Sequence, residues 1–78
     1  MSPRGVEKNE NMRADTIKKI LDAALEVFAD YGYHGTSMKQ ISEKANLSYG
    51  LVYHYFPSKE AVFKSIINSA LELGKMVP

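Results

Sequence analysis

The sequence predicts an all-α fold in which three helices are followed by the start of a fourth. Apolar residues recur at steps of three and four along most of the chain, which is the spacing of one helix face. Serine, glycine, asparagine and proline residues separate these periodic segments, as they do where helices begin and end. The 78 residues include no cysteine, so the small domain that they predict must be held by helix packing, without disulfides or a cysteine-ligated zinc.

The first helix is predicted from Met12 onward. Residues 1–11 are polar and include Pro3 and Gly5, and we expect them to form a disordered N-terminal arm. The apolar face of the helix that follows comprises Ile17, Ile20, Leu21, Ala24, Phe28 and Tyr31. Gly32 comes directly after this face and can adopt the left-handed conformation that ends helices.

A second, short helix is predicted to end near Ala45. Thr36 and Ser37 both offer N-cap hydroxyls, and Gln40 stands three residues after Ser37, as in a capping box. Asn46 tolerates left-handed backbone better than most residues, which predicts a tight turn after this helix.

The third helix is predicted over about residues 49–56. Ser48 is its candidate N-cap, and Pro57 pushes the residue before it out of helical conformation. Two short helices joined by a tight turn and braced by a longer helix make a helix-turn-helix. We therefore predict a three-helix, homeodomain-like helix-turn-helix domain over residues 12–63.

The fourth helix is predicted over residues 58–78, with Ser58 as its cap. Its apolar face is wider than one small core needs, and comprises Ala61, Val62, Phe63, Ile66, Ile67, Ala70, Leu71 and Leu73. We expect this helix to link to a further domain outside the chain, or to pack against a second copy.

The third helix presents an unusual outer surface. At about 100° per residue, Gly50, Leu51 and His54 point away from the face that contains Val52 and Phe56. Tyr49 and Tyr53 lie at its margin, where a tyrosine can bury its ring and present its hydroxyl. The second helix of a helix-turn-helix can enter the major groove of DNA, and capped helix N-termini can bind phosphate. This surface is therefore the candidate DNA-reading face.

The run from Ile20 to Phe63 resembles the DNA-binding domain of the tetracycline-repressor (TetR) family. Asn46 stands where the family often has glycine, which fits the left-handed turn. The matching residues are Ala23, Ala24, Phe28, Gly32, Tyr33, Gly35 to Met38, Ile41, Ala45, Leu47, Ser48, Gly50, Val52 to Phe56, and Ser58 to Ala61.

The resemblance implies roles for individual residues and partners for the whole protein. Contacts to base edges would come from Tyr49, Gly50 and Leu51. Phosphate contacts would come from Thr36, Ser37, Lys39, Ser48, Tyr53, His54, Tyr55 and Lys59. Family members are homodimers that bind palindromic operators in double-stranded DNA, and a small-molecule effector bound by the C-terminal domain releases them. A cytoplasmic, ligand-released repressor of transcription is the function that this resemblance implies.

The residues by themselves leave two other functions open. The wide apolar face of the fourth helix would suit a helical interaction module that dimerises without binding DNA. A different three-helix DNA reader, such as a homeodomain, is less consistent with a third helix stopped at Pro57 and with the scarcity of arginine.

The sequence does not indicate an enzyme or a cofactor. No base and nucleophile occur in a catalytic motif, and His34 and His54, without cysteine, do not suggest a metal site. No apolar run is long enough to span a bilayer. The net charge of +1 gives little electrostatic attraction to DNA, so we expect a single domain to bind weakly, with a dissociation constant on the order of 10⁻⁴ to 10⁻⁶ M.

Overall fold

The fold consists of helices that pack around one small core. The computed structural model describes the backbone of residues 2–76 and the side chains of residues 12–72. The helices are, in chain order, α1 (Ser2–Tyr31), α2 (Met38–Ala45), α3 (Tyr49–Tyr55) and α4 (Lys59–Met76). α1 packs against α2 and α4, and α3 packs against α2. The all-α, helix-turn-helix arrangement predicted from the sequence is confirmed.

The start of α1 differs from the sequence prediction. We expected a disordered arm over residues 1–11 and a helix from Met12, but α1 begins at Ser2, so the prediction is wrong for the described part of that segment. Pro3 lies in the first turn, where a missing N–H breaks no helical hydrogen bond. Extending an existing helix also avoids the cost of nucleation, which a separate helix in this segment would have to meet. Met1 lies outside the described residues.

The buried face of α1 follows the predicted period but stops before the helix ends. Ile20, Ala24 and Val27 are at most 4% exposed, whereas Tyr31, predicted on the same face, is 62% exposed. The part of α2 nearest to Tyr31 contributes polar side chains, including Gln40 and Lys44, to a shallow surface opening. The prediction that Tyr31 belongs to the core is therefore wrong, because the α2 side chains that line this opening with it are polar.

The connection between α1 and α2 is tight. Gly32 ends α1 with φ of 77°, as predicted, and its N–H donates to the carbonyl of Phe28 at 2.8 Å. Gly35 lies directly against the carbonyl of Tyr31, so that a Cβ at position 35 would overlap that oxygen. The close approach of two backbone segments thus requires glycine at position 35.

The predicted capping box of α2 is confirmed. The Oγ of Ser37 accepts a hydrogen bond from the N–H of Gln40 at 3.2 Å, and the Oε1 of Gln40 accepts one from the N–H of Ser37 at 2.7 Å. At the other end, Asn46 adopts the left-handed conformation with φ of 60°. The turn that follows is closed by the N–H of Leu47, which donates to the carbonyl of Ser42 at 3.0 Å.

α3 begins and ends within one residue of its prediction, and α4 begins directly after its predicted cap. The Oγ of Ser48 accepts from the N–H of Leu51 at 3.1 Å, and the Oγ of Ser58 accepts from the N–H of Ala61 at 3.2 Å. Phe56 has extended backbone at the C-terminus of α3, as expected for the residue before a proline. Serine caps therefore position both helices that flank Pro57.

The core draws one fully buried branched side chain from each helix. These four residues are Ile20, Ile41, Val52 and Val62, each with no exposed surface. Partly buried side chains packed around the core are Leu21, Phe28, Leu47, Tyr55, Phe56 and Ile66. Burying one such side chain contributes roughly 1.5–3 kcal/mol, so the relative placement of the helices depends on a few contacts.

α4 leaves much of its apolar surface uncovered, as its wide apolar face predicted. Val62 is buried, but Phe63, Ile67 and Leu71 are between 40% and 60% exposed. The side chain of Leu73, predicted on the same face, lies outside the described residues. This exposed face is available for another part of the protein or for a partner.

Replacing Gly35 with alanine is expected to destabilise the fold by about 1–3 kcal/mol, because the added methyl group would overlap the carbonyl of Tyr31. Urea unfolding followed by circular dichroism measures this loss. Gly50→Ala is the matched control, since a Cβ at position 50 meets nothing within 4 Å. The control should keep its stability or gain up to about 1 kcal/mol from helix propensity. Equal stabilities for the two variants would contradict the packing described at Gly35.

Candidate nucleic-acid interface

α3 has one face in the core and an opposite face in solvent. Val52 anchors the inner face and is fully buried. Tyr49 and Tyr53 are 51% and 40% exposed, and Gly50 and His54 are also exposed. A helix turns by about 100° per residue, which places Gly50 at the centre of the exposed side. The core therefore holds α3 in place without using the residues predicted to read DNA.

Tyr49 and Tyr53 form a pair on the exposed face of α3. Their hydroxyl oxygens are 3.3 Å apart and share a hydrogen bond, and their ring centroids are 4.8 Å apart. The hydrogen bond with Tyr49 raises the pKa of the Tyr53 phenol above its ordinary value, and partial burial adds to this. An ordinary tyrosine phenol is already neutral near pH 7, and this shift keeps Tyr53 so, which lets it approach a phosphate without charge repulsion.

The surface beside this pair is open to close approach. A Cβ built on Gly50 would meet no atom within 4 Å, so the backbone there is accessible from outside. Leu51 is 36% exposed and adds an apolar contact surface next to the glycine. The three residues predicted to contact bases thus lie together at the N-terminal end of α3. Gly50 has no side chain, and of the other two residues Tyr49 is more exposed than Leu51.

Two of the predicted phosphate contacts, Ser37 and Ser48, are exposed N-cap residues. Each hydroxyl oxygen accepts a hydrogen bond from its own helix, at 3.2 Å for Ser37 and 3.1 Å for Ser48. A serine hydroxyl that accepts through its oxygen still has its own proton to donate. Both residues can therefore cap a helix and bind an external oxygen at the same time. Lys39 is exposed in the first turn of α2, close to Ser37 in sequence.

Thr36 does not occupy the position that the sequence predicted. Its side chain is only 3% exposed, and its hydroxyl donates to the carbonyl of Gly32 at 2.7 Å. The adjacent Ser37 is the N-cap of α2. The Thr36 hydroxyl thus closes the turn after α1 through a partly buried hydrogen bond, and the phosphate contact predicted for this residue stays a prediction.

Tyr55 also differs from its predicted role. Its ring is half-buried and packs against the core, and it lies edge-on to the ring of His54 with centroids 5.1 Å apart. His54 itself is exposed on the outer side of α3. The packing of Tyr55 favours a structural role over the phosphate contact predicted for it, whereas the placement of His54 is compatible with such a contact.

Lys59 points toward the connection between α1 and α2. Its Nζ donates to the carbonyl of Tyr33 at 2.7 Å and to that of Thr36 at 3.0 Å. It also lies 4.4 Å from the centroid of the Tyr33 ring. The ammonium group thus forms hydrogen bonds within the protein. The sequence predicted only a phosphate contact for Lys59 and did not indicate these internal bonds.

Sequence reasoning missed the part that Tyr33 plays in this region. Its ring packs against Phe63 of α4 and Phe28 of α1, with centroid distances of 5.2 and 5.8 Å. Desolvation raises the pKa of the Tyr33 phenol, and the negative charge of Glu60 raises it further. The only signal in the sequence was an aromatic residue after a helix-ending glycine, which does not by itself identify a packing partner on a distant helix.

Other kinds of site find no support in the described part of the chain. Among its residues there is no group of three or more histidine, cysteine, aspartate or glutamate side chains that could hold a metal ion. His34, which the sequence placed in a loop, is exposed. No helix within the described residues is long and apolar enough to cross a membrane.

The family model described as bacterial regulatory proteins of the tetR family matches residues 20–66. This chain belongs to the tetR family. The match covers α2 and α3 completely, together with the parts of α1 and α4 that pack on them. The resemblance to the TetR family, and with it the assignment of a helix-turn-helix DNA-binding domain, is confirmed.

Relatives of this tetR-family chain are regulators of transcription. RutR of Escherichia coli K12, an HTH-type transcriptional regulator, is 43% identical over 56 residues, which are 72% of this chain and 26% of RutR. UidR of the same strain, also an HTH-type transcriptional regulator, is 43% identical over 61 residues, or 74% of this chain and 31% of UidR. The chain thus spans less than a third of the length of these relatives.

A solved structure shows the same fold as this tetR-family chain. An alanine-substituted mutant of HlyIIR superposes with a TM-score of 0.71 at 32% sequence identity, covering 73% of this chain and 31% of the other. The helix arrangement described above is therefore shared with a protein of known structure over most of the chain.

Removal of one hydroxyl tests the tyrosine pair on α3. In Tyr49→Phe the pKa of Tyr53 should fall toward its ordinary value, because the hydrogen bond that raises it is lost. NMR titration of ring-labelled tyrosine measures this change. Tyr31→Phe, a substitution on the exposed end of α1, is the control and should leave the Tyr53 titration unchanged. An unchanged Tyr53 pKa in Tyr49→Phe would show that the two hydroxyls do not interact.

Proposed function

We propose that the exposed face of α3 enters the major groove of operator DNA, where Tyr49, Gly50 and Leu51 contact base edges. The observation that carries this proposal is the division of α3 into two faces, with Val52 fully buried and the opposite side left in solvent. A recognition helix needs such a division, since the core must hold the helix without consuming its reading surface. Gly50 allows the duplex to approach the backbone, and Leu51 offers an apolar contact for a thymine methyl group.

Phosphate contacts in this proposal flank the reading surface on both helices. Ser37 and Lys39 lie at the N-terminal end of α2, where the helix dipole favours an anion. Ser48, Tyr53 and His54 supply hydroxyl and imidazole donors around α3. Hydrogen bonds from neutral groups fix the orientation of a protein on DNA without a large positive charge, which suits a chain with a net charge of +1.

We further propose that the whole regulator is a homodimer that reads a palindromic operator. A single domain of this size and charge would bind weakly, and joining two domains raises the effective concentration of the second at its half-site. The exposed apolar face of α4, which includes Phe63, Ile67 and Leu71, is the point where the remainder of the regulator would join. A small-molecule effector bound outside this chain would release the operator, giving a repressor that acts in the cytoplasm and is not an enzyme.

The same exposed face of α4 favours one alternative. A helical interaction module would use Phe63, Ile67 and Leu71 to pair with another chain and would need no DNA-reading surface on α3. The two functions are separable, because their surfaces lie on different helices. DNA binding that depends on α3 residues supports the first, and dimerisation without DNA binding supports the second.

Selection of bound sites from random duplex DNA with the full-length regulator tests the proposed function. We expect a palindromic consensus whose half-sites are separated by about one helical turn or a multiple of it. Sites without symmetry would contradict the proposed dimer, and the absence of any enriched sequence would contradict operator reading.

Two substitutions should change DNA binding in different ways. Tyr49→Ala should alter the selected sequence by removing a base contact, with a cost of about 1–3 kcal/mol for the original operator. Lys39→Ala should weaken binding to all sequences and make the salt slope shallower by about 0.9, because one phosphate contact is lost. Fluorescence anisotropy over a range of salt concentrations measures both effects, and circular dichroism checks that helix content is retained. Identical behaviour of the two variants would contradict the division into base and phosphate contacts.

A further inference from the structure

The hydroxyl groups of Tyr49 and Tyr53 share one hydrogen bond on the exposed face of α3. Their oxygens are 3.3 Å apart, and the two rings meet at 66° with their centroids 4.8 Å apart. Both side chains are exposed, so each hydroxyl can also bind a group outside the chain. The two residues therefore act as one polar unit, in which the hydrogen bonding of one hydroxyl limits that of the other.

The two phenols have two protons to donate, and the bond between them uses one. A phenol donates through its single O–H, while its oxygen can also accept. In the free chain either hydroxyl can be the donor, because both O–H groups can rotate. One proton of the pair therefore remains for an external acceptor. The tyrosine that gives up this proton must be the acceptor in the bond between the two.

A phosphate bound by Tyr53 fixes the direction of the bond within the pair. Phosphate oxygens carry negative charge and act as hydrogen-bond acceptors, so the O–H of Tyr53 donates to the phosphate. The oxygen of Tyr53 is then the acceptor within the pair, and the O–H of Tyr49 donates to it. The hydroxyl of Tyr49 consequently has no proton left for a base and can only accept through its oxygen.

The bases differ in what they offer to such an acceptor in the major groove. Adenine and cytosine present amino donors there, at N6 and N4 respectively. Guanine presents the acceptors O6 and N7, and thymine presents the acceptor O4. An oxygen that can only accept forms a hydrogen bond with an amino group and is repelled by a carbonyl oxygen. The direction of the bond between the tyrosines thus determines which bases suit Tyr49.

We propose that Tyr53 is a positioning residue that makes Tyr49 a hydrogen-bond acceptor, so that Tyr49 recognises the amino group of adenine or cytosine. This inference rests on the proposed function, in which Tyr53 binds phosphate and Tyr49 contacts a base edge. Tyr53 keeps its phosphate contact and affects the base preference only through the hydroxyl of Tyr49. The two residues are four apart on α3, which places the two contacts side by side on one helix face.

Tyrosine-to-phenylalanine variants of the full-length regulator test this proposal, since each removes a hydroxyl and keeps the ring. Site selection from random duplex DNA, with the unmodified regulator and with Tyr49→Phe, identifies the half-site position that Tyr49 contacts. Duplexes that carry each of the possible bases at that position are then compared by fluorescence anisotropy. The proteins compared are the unmodified regulator, Tyr49→Phe, Tyr53→Phe and the double variant. Tyr31→Phe is the control, because Tyr31 is an exposed tyrosine on a different helix.

We expect the unmodified regulator and Tyr31→Phe to bind duplexes with adenine or cytosine at this position about tenfold more tightly than those with guanine or thymine. In Tyr53→Phe the proton of Tyr49 is free to donate to a base, so Tyr49 can pair with either kind of group. The preference should therefore fall to about twofold or less. Tyr49→Phe should also lose the preference, and adding Tyr53→Phe to it should weaken binding to all the duplexes equally.

Three results would overturn this inference. An amino preference that persists in Tyr53→Phe would show that Tyr53 does not control the hydrogen bonding of Tyr49. A preference for guanine or thymine in the unmodified regulator would show that Tyr49 donates its proton to the base. An enriched operator in which no position changes in Tyr49→Phe would show that Tyr49 does not select a base, while DNA binding by the regulator stands. Enrichment of no sequence at all would instead contradict the proposed function, and this inference with it.

Discussion

The shared core to which each helix contributes one fully buried side chain is the constraint on which the rest of the structure depends. Ile20, Ile41, Val52 and Val62 occupy its centre. A domain of this size buries little apolar surface, so each of these contacts carries a large part of the free energy of folding. Val52 has the most direct effect on function, because it fixes the rotation of α3 about its own axis. That rotation leaves Gly50 and His54 in solvent.

Polar contacts at the helix ends determine where the helices begin, which so small a core does not do alone. Ser37, Ser48 and Ser58 each accept a hydrogen bond from the first turn of the helix that they begin. The hydroxyl groups of Ser37 and Ser48 also lie on the surface that we propose as the DNA interface. A cap is worth about 1 kcal/mol, so these serines contribute to stability, and in the proposed function Ser37 and Ser48 also bind the DNA backbone. On that proposal, a chain with a net charge of +1 presents several hydrogen-bond donors to a polyanion without a large positive charge.

The loop between α1 and α2 shows how backbone geometry connects the helices. Gly35 brings two backbone segments into contact, Thr36 closes the turn from within, and Lys59 holds it from α4. Two of these contacts join residues four apart, and the third joins residues more than twenty apart. These three residues therefore help to position the N-terminal end of α2. Its position relative to α4 depends on hydrogen bonds as well as on apolar packing.

The sequence by itself determined the features that depend on local physics. Periodicity located the helices, and the chemistry of Gly32, Ser37, Asn46 and Pro57 located their ends, because caps, left-handed turns and proline act within a few residues. The alternation of Val52 with exposed neighbours on α3 was visible for the same reason. The run of residues resembling the TetR family identified the domain on the same local pattern.

Only the tertiary structure decided which polar side chains remain available to a ligand. Thr36 and Lys59 read as surface groups in the sequence, yet one is buried and the other is bonded to two carbonyls more than twenty residues away. Tyr31 continues an apolar face and is nevertheless exposed, since the part of α2 beside it contributes polar side chains. Hydrogen-bond partners and burial depend on contacts between distant segments, and neither spacing nor composition records which segments will meet.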